Sequence, residues 1–220
     1  MRQAIVIVKA RVAKAAALAA GVLLFLGPSV SAHDMHQHAA GAPAAPNAAQ
    51  VTLYDVGLID RDGQRVRFKT EAVGNRIVVV DFIYTRCTTI CPVTSAAFAE
   101  VQQRLIDRLG ERFGRDVQLI SLSIDPATDT PTRLNDYAAN FGIRWGWSWF
   151  TGEKAQVDQV LRGLGAYSAD IERHSGAVLV GDGRAGSWTR LYGIPKPADV
   201  VDRVEQLLTA RARASLNEGR

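Results

Sequence analysis

The chain has 220 residues, of which 47% are hydrophobic, so it is long enough for one domain with a substantial core. Its formal net charge of +4 would suit nucleic-acid binding, but residues 1–32 contain four cations and no acids. Without that segment the chain is close to neutral, so we expect no nucleic-acid partner.

Residues 1–32 have the three parts of an export signal. A cationic start precedes an apolar stretch over residues 15–26, and Val30-Ser31-Ala32 provides the small residues of a cleavage site. The apolar stretch is shorter than the about 20 residues that a membrane-spanning helix needs. We therefore predict cleavage after Ala32 and a periplasmic location, with a retained inner-membrane anchor as the alternative.

Residues 33–50 follow the predicted cleavage site and hold three of the four histidines, His33, His36 and His38. Imidazole is a good copper ligand, so this segment could load or buffer copper. An Ala/Pro-rich stretch follows, with no pattern that would build a core. The alternative is a soluble spacer that happens to contain histidines.

The folded domain is predicted to span residues 51–211, followed by a short tail over 212–220. Alternating residues at 51–54 and 64–68 predict a β-hairpin around a turn at 60–63. An apolar run at 77–84 predicts a strand that is buried on both faces. A helix should follow over 93–109 and end at Gly110.

The second half of the domain alternates between strand and helix patterns. We predict strands at 117–124, 177–180 and 187–192, an extended segment at 144–150, and helices at 132–141, 153–164 and 199–211. Thr130 should cap the first of these helices, with Pro131 at its first position. This order predicts an α/β protein of thioredoxin-like fold, with a central mixed β-sheet flanked by helices and an N-terminal hairpin.

The only two cysteines, Cys87 and Cys91, lie between the predicted strand 77–84 and the helix that follows it. If the helix starts within this turn, a spacing of four residues places both side chains on one face. A helix N-terminus also lowers a thiol pKa, and the thiolate is the form that attacks or binds metal. The sequence therefore predicts a functional site at this edge of the sheet.

Three interpretations of the pair remain open. A static disulfide here would close a loop of only a few residues and would stabilise the fold little. Dithiol redox catalysis is possible, although its usual motif has two intervening residues and this one has three. Metal binding would require a further ligand from another part of the chain.

His174 is the only histidine in the predicted domain, and it lies in the loop before the strand at 177–180. In a thioredoxin layout this loop packs beside the cysteines. Two thiolates favour Cu(I) and an imidazole helps to hold Cu(II), so the three groups together would suit copper.

The sequence resembles the Sco/SenC family of copper-binding, thioredoxin-like assembly factors for cytochrome oxidase. The resemblance covers about residues 53–208 and rests on three segments: DFIYTRCTTICP at 81–92, SIDPATDTP at 123–131, and His174-Ser175 before a strand and a glycine-rich turn. It implies that Cys87, Cys91 and His174 bind copper as Cu(I) or Cu(II).

The resemblance also implies a function and partners. The protein would deliver copper to the dinuclear copper A site of cytochrome c oxidase subunit II, or to another copper-accepting respiratory protein, and could meet other copper chaperones. The alternative is a thiol-disulfide oxidoreductase that reduces the copper-site cysteines or acts in redox or copper-stress defence. No proline occurs between Pro131 and Pro195, where thioredoxins have a cis-proline facing their cysteines, and this disfavours a general disulfide reductase.

Two further groups of residues have competing interpretations. Asp125 and Asp129 could be loop and capping residues, or they could support the loop beside the cysteines and contact a partner. Trp145, Trp147 and Trp149 alternate and should share one face of an extended segment. We expect these tryptophans to pack in the core rather than to form a docking surface.

Overall fold

A computed structural model describes residues 47–174 and 176–218. The predicted export signal, the three histidines at 33, 36 and 38, and Ser175 lie outside the described residues.

The described residues form an eight-stranded mixed sheet with four α-helices. The strands are β1 Asn47–Ala48, β2 Gly57–Asp60, β3 Arg65–Arg67, β4 Ile77–Ile83, β5 Val117–Ser123, β6 Trp147–Thr151, β7 Ala177–Asp182 and β8 Ser187–Tyr192. The helices are α1 Ile90–Leu109, α2 Pro131–Ala138, α3 Lys154–Gly163 and α4 Pro197–Glu218, and Phe68–Val73 forms a short π-helix. The strand order is β1-β8-β7-β4-β5-β6-β2-β3, which confirms the predicted fold class.

The two central strands, β4 and β5, are parallel, and all of their residues are buried. Helices α1, α2 and α4 cover one face of the sheet, and α3 with the π-helix covers the other. Burial on both faces explains why the sequences of these strands are almost continuously apolar. Since parallel strands end at the same edge, the segments that follow β4 and β5 emerge side by side.

The structure confirms the turn of the predicted N-terminal hairpin, but the predicted first strand is wrong. The strand that pairs with β3 is β2, in the register Leu58 with Val66, whereas residues 51–54 form no strand. Residues 51–54 do alternate in burial, and the Thr52 amide donates to the Gly163 carbonyl at 2.8 Å. Their alternation therefore reflects packing near the end of α3 rather than pairing in the sheet.

Several element boundaries differ from the prediction. The short strand β1 precedes the predicted start of the domain at residue 51, and α1 begins at Ile90, three residues before the predicted start of that helix. Helix α4 continues to Glu218, through most of the segment predicted as a tail. The predicted cap is confirmed, since the Thr130 hydroxyl accepts a hydrogen bond from the Arg133 amide at 3.3 Å.

The three alternating tryptophans do not share one face. Trp147 and Trp149 are buried in the core, with ring centroids 5.1 Å apart, but Trp145 is 75% exposed. Gly146 has φ +93° between them and turns the chain before β6 begins at Trp147. The two-residue periodicity of a strand therefore does not extend back to Trp145.

A buried ion pair between Arg211 and Asp182 connects α4 to the end of β7. The Nε and Nη2 atoms of Arg211 each lie 2.6 Å from the Asp182 carboxylate, and Nη2 also donates to the Asn75 carbonyl at 2.7 Å. Burial alone would raise the pKa of Asp182, but Arg211 and the amides of Arg184 and Ala185 lower it overall. The charged pair therefore stabilises the folded state.

We expect Arg211→Met to lower the free energy of unfolding at neutral pH by about 3–5 kcal/mol, because Asp182 would remain buried without its cation. The loss should be constant above the unfolded aspartate pKa of about 4 and should shrink as the pH falls below it. Urea denaturation at several pH values measures both effects. Arg108→Met is the control, since Arg108 and Glu205 form an exposed pair that should contribute less than about 1 kcal/mol.

Candidate metal centre

The two cysteines lie together at the start of α1. Cys91 is in the first turn of the helix, and its amide donates to the Cys87 sulfur at 3.3 Å. Both are free thiols, and they are 5% and 1% exposed respectively. Because α1 begins at Ile90, Cys91 lies in the helix and Cys87 precedes it, so the amide hydrogen bond rather than a shared helix face brings the pair together. Cys87 is the more exposed of the two residues.

The two thiols differ strongly in acidity. Burial would raise the pKa of Cys87, but hydrogen bonds from the Cys91 thiol and from the amides of Cys91 and Thr89 lower it to about 7. Burial and the bond to Cys87 together raise the pKa of Cys91 to about 12. At neutral pH the pair can therefore hold one thiolate, on Cys87, while Cys91 keeps its proton.

Tyr84 lies close to the sulfur pair, although no pattern in the sequence assigns it to the site. Burial raises the pKa of Tyr84 to about 12, and the hydrogen bond to Cys87 and the charges of both cysteines and Glu172 contribute. The phenol thus faces both the sulfurs and the segment before His174.

His174 follows a short 3-10 turn, Ile171–Arg173, and its amide donates to the Ile171 carbonyl at 3.3 Å. Its ring atom Nε2 is buried and has no hydrogen-bond partner among the described residues. Burial also lowers the pKa of His174, so the imidazole is neutral at pH 7. A neutral ring with a free buried nitrogen fits the requirements of a metal ligand.

The segment that carries His174 passes beside the cysteines. An added Cβ on Gly176 would lie 2.8 Å from Cδ1 of Ile90, which sits next to Cys91 in the chain. Within the described part of the chain, however, no three His, Cys, Asp or Glu side chains are arranged to hold a metal ion. The structure therefore brings the two cysteines together and the histidine segment alongside them, without a complete ligand cluster.

Two buried aspartates from the segment after β5 hold the residues just before Cys87. The Asp129 carboxylate accepts from the Thr85 amide at 3.1 Å, the Thr85 hydroxyl at 2.6 Å and the Ser123 hydroxyl at 2.6 Å. The Asp125 carboxylate pairs with the Arg86 guanidinium at 2.8 Å. Of the two interpretations of these aspartates, the structure thus shows support of the cysteine loop.

Asp81 is a buried acid in β4 whose role the sequence did not reveal. It is fully buried, and neither carboxylate oxygen has a partner in hydrogen-bond geometry among the described residues. Burial raises the pKa of Asp81 to about 7, although Ser121 opposite it favours the charged form. Its charge also raises the pKa of Cys91. In the sequence, Asp81 is distinguished only as the single acid within the apolar run 77–84.

We expect iodoacetamide to modify Cys87 of the metal-free, reduced protein with a midpoint near pH 7, while Cys91 stays unmodified at that pH. In Cys91→Ala the midpoint for Cys87 should move to higher pH, because a hydrogen bond to its thiolate is lost. Mass spectrometry of the two cysteine peptides against pH measures this. Equal modification of both thiols at pH 7 in the folded protein would contradict the assignment.

Asp129→Asn should loosen the turn before Cys87, because a neutral amide accepts these hydrogen bonds more weakly than a carboxylate. We expect faster amide exchange of Thr85 and of its neighbours, together with a stability loss of about 1–3 kcal/mol. Hydrogen exchange with mass spectrometry measures the first effect. Asp55→Asn is the matched control, since Asp55 accepts from the amide and hydroxyl of Thr70 in the same way, and it should leave exchange at Thr85 unchanged.

A curated relative of similar sequence is the SCO1 protein homolog of Bacillus subtilis. It is 29% identical over 119 residues, which cover 53% of this chain and 57% of the relative. The match thus spans just over half the length of that protein.

Two solved structures share the fold. BsSco, a member of the Sco family of cytochrome c oxidase assembly proteins, superposes with a TM-score of 0.61 at 22% identity, covering 74% of this chain and 96% of that one. Arabidopsis thaliana ScoI with copper bound gives a TM-score of 0.60 at 21% identity, covering 73% and 99%.

The SCO1/SenC family model matches residues 45–208, which is well over half of the chain and includes both cysteines, the two supporting aspartates and His174. The protein therefore belongs to the SCO1/SenC family.

Proposed function

We propose that this protein is an exported copper chaperone that binds one copper ion through Cys87, Cys91 and His174. The observation that carries the proposal is a pair of free thiols at the start of α1 beside a segment whose buried imidazole Nε2 has no hydrogen-bond partner in the described part of the chain. Its relationship to ScoI, which was solved with copper bound, supports the choice of metal.

The donor atoms suit copper in either oxidation state. Thiolates favour Cu(I), and a neutral imidazole helps to hold Cu(II). Cys87 supplies a thiolate near neutral pH, whereas Cys91 must release a proton when it binds. Copper binding should therefore release protons and weaken as the pH falls.

Ligation by His174 requires the segment over residues 171–176 to bring the ring to the sulfur pair. The contact between Gly176 and Ile90 places this segment against the start of α1. The buried Nε2, which has no partner among residues 47–174 and 176–218, would gain one on binding, and this favours closure of the ligand set.

The copper would pass to a respiratory acceptor. Since BsSco belongs to a family of cytochrome c oxidase assembly proteins, we propose the dinuclear copper A site of oxidase subunit II as the destination. The predicted signal would place the reaction in the periplasm. None of the helices in residues 47–174 and 176–218 has the length and hydropathy required to cross a membrane.

A thiol-disulfide oxidoreductase is the second candidate, and the difference in thiol acidity favours it. The Cys87 thiolate could attack a disulfide of the acceptor, and Cys91 could then release the product by forming a disulfide with Cys87. The acceptor gains two electrons and the pair loses two. This activity does not require His174, so reduction that persists in copper-free His174→Ala would support it.

We expect the full-length protein to bind one Cu(II) at the domain site with an intense thiolate-to-copper absorption band. The titration should use a background in which His33, His36 and His38 are replaced by alanine, so that only the domain site is counted. Cys87→Ser should abolish the band because it removes the accessible sulfur, and His174→Ala should change its position and intensity.

Gln118→Ala provides a control in the same background, because Gln118 lies at the start of β5, far from the cysteines along the sheet. It should leave the band unchanged. If His174→Ala bound Cu(II) with the parent spectrum and affinity, His174 would not be a ligand.

A further inference from the structure

We propose that Asp81 sets the oxidation-state preference of the copper site, because its buried carboxylate places a negative charge behind the sulfur ligands and so favours Cu(II) over Cu(I). The inference rests on the proposed binding of copper by Cys87 and Cys91. It gives Asp81 an electrostatic role rather than that of a ligand.

Asp81 faces the layer of the core that contains the two cysteines. Alternate side chains of β4 pack on opposite sides of the sheet. Val79 and Ile83, which flank Asp81 on its own side, belong to the hydrophobic cluster that includes Cys87 and Cys91. The carboxylate therefore lies between the sheet and α1, in the same layer as the sulfurs.

The charge of Asp81 reaches both the sulfur pair and a tyrosine near it. Burial is the main cause of the raised pKa values of Cys91 and Tyr137, and the charge of Asp81 contributes to both. The Tyr137 hydroxyl lies 3.3 Å from Oγ of Ser95, which is one helical turn after Cys91 on α1. Groups on two helices, α1 and α2, therefore respond to the same carboxylate.

The structure shows no compensating cation for this carboxylate in the residues that it describes. Asp81 is 0% exposed, and neither of its oxygens has a partner in hydrogen-bond geometry. Burial raises the pKa of Asp81 to about 7, and Ser121 opposite it on β5 offsets this only in part. In a low-dielectric interior, an uncompensated charge acts strongly on other charges near it.

An ionised Asp81 lowers the stability of the fold. Its pKa in the folded state lies above the unfolded value of about 4, so the charged form destabilises the domain at neutral and higher pH. The residues on either side of it in β4, Val80 and Phe82, are apolar, and an apolar side chain would suit this position better. A buried acid that lowers stability close to a proposed metal centre indicates a functional role.

The two loaded forms of the site differ by one elementary charge. With the same protein ligands, the Cu(II) form is more positive than the Cu(I) form by one unit. A negative charge nearby therefore stabilises the Cu(II) form more, and its removal shifts the preference towards Cu(I). Because thiolates themselves favour Cu(I), Asp81 offsets part of their preference and allows the site to hold copper in either state.

The test compares Asp81→Asn with the parent in the full-length background that lacks His33, His36 and His38. At pH 8, where Asp81 is ionised, competition with glycine measures the Cu(II) affinity, and competition with bathocuproine disulfonate under anaerobic conditions measures the Cu(I) affinity. Asparagine has nearly the shape of aspartate, so the substitution removes mainly the charge. We expect the ratio of Cu(II) to Cu(I) affinity to fall about tenfold, which corresponds to about 59 mV for one electron.

A second measurement requires no copper. Because the ionised Asp81 destabilises the fold, metal-free Asp81→Asn should unfold at a higher urea concentration than the parent at pH 8. If the carboxylate instead supported the fold through hydrogen bonds, the substitution would lower the urea midpoint. A lower midpoint would therefore contradict the electrostatic role.

Asp81→Leu separates the effect of charge from that of hydrogen bonding. Leucine is neutral, like asparagine, but it cannot accept a hydrogen bond. If only the charge matters, both variants should lower the affinity ratio by the same factor. A ratio that falls in one variant and stays at the parent value in the other would overturn the proposal.

Asp182→Asn is the matched control. Asp182 is also buried, but it pairs with Ile77 at the end of β4 that is farther from the cysteine turn, so its substitution should leave the affinity ratio unchanged. An unchanged ratio in Asp81→Asn, or an equal fall in the control, would exclude Asp81 as the determinant and leave copper binding intact. A parent that binds neither ion at the domain site would refute the proposed function itself.

Discussion

The position of the candidate metal centre depends on parallel pairing at the middle of the sheet. Strands β4 and β5 pair in register from Ile77 with Val117 to Ile83 with Ser123, so the chain leaves both at the same edge. The segment after β5 can then place Asp129 against Thr85, two residues before Cys87. A carboxylate that accepts three hydrogen bonds from neighbouring groups fixes this turn more firmly than backbone pairing alone would.

The same arrangement makes the two sulfurs chemically different. Cys87 precedes α1 and receives hydrogen bonds from the first turn, whereas Cys91 lies within that turn and faces the core and the charge of Asp81. The pKa values of the two thiols are thus shifted in opposite directions, because Cys87 precedes the helix and Cys91 lies in its first turn. This asymmetry is compatible with both a metal site and a dithiol, which explains why the two candidate functions share the same residues.

The features that the sequence predicted correctly depend on local patterns. The apolar run of β4, the Thr130 cap and Gly110 at the end of α1 each act through neighbouring residues, so they could be identified without tertiary information. Residues 51–54 and Trp145 could not be assigned in this way. Their alternation resembles that of a strand, but contact with α3 in one case and the turn at Gly146 in the other determine the outcome.

The site residues also divide into those that a sequence pattern identifies and those that only the structure identifies. Cys87 and Cys91 were evident from their spacing, and His174 because the domain has no other histidine. Tyr84 and Asp81 became apparent only from their surroundings, since a tyrosine and an acid in a strand carry no specific pattern. The support from Asp125 and Asp129 was one of two open interpretations, because it depends on which strands lie side by side.

The two buried aspartates of the sheet, Asp81 and Asp182, give the domain opposing responses to acid. Burial raises the pKa of Asp81 to about 7, above its unfolded value of about 4, so protonation favours the folded state as the pH falls between these values. Asp182, whose pKa Arg211 keeps low, loses its stabilising charge only in more acidic solution. Moderate acidification therefore strengthens the contribution of Asp81 to stability, while the burial of a neutral His174 acts in the opposite direction.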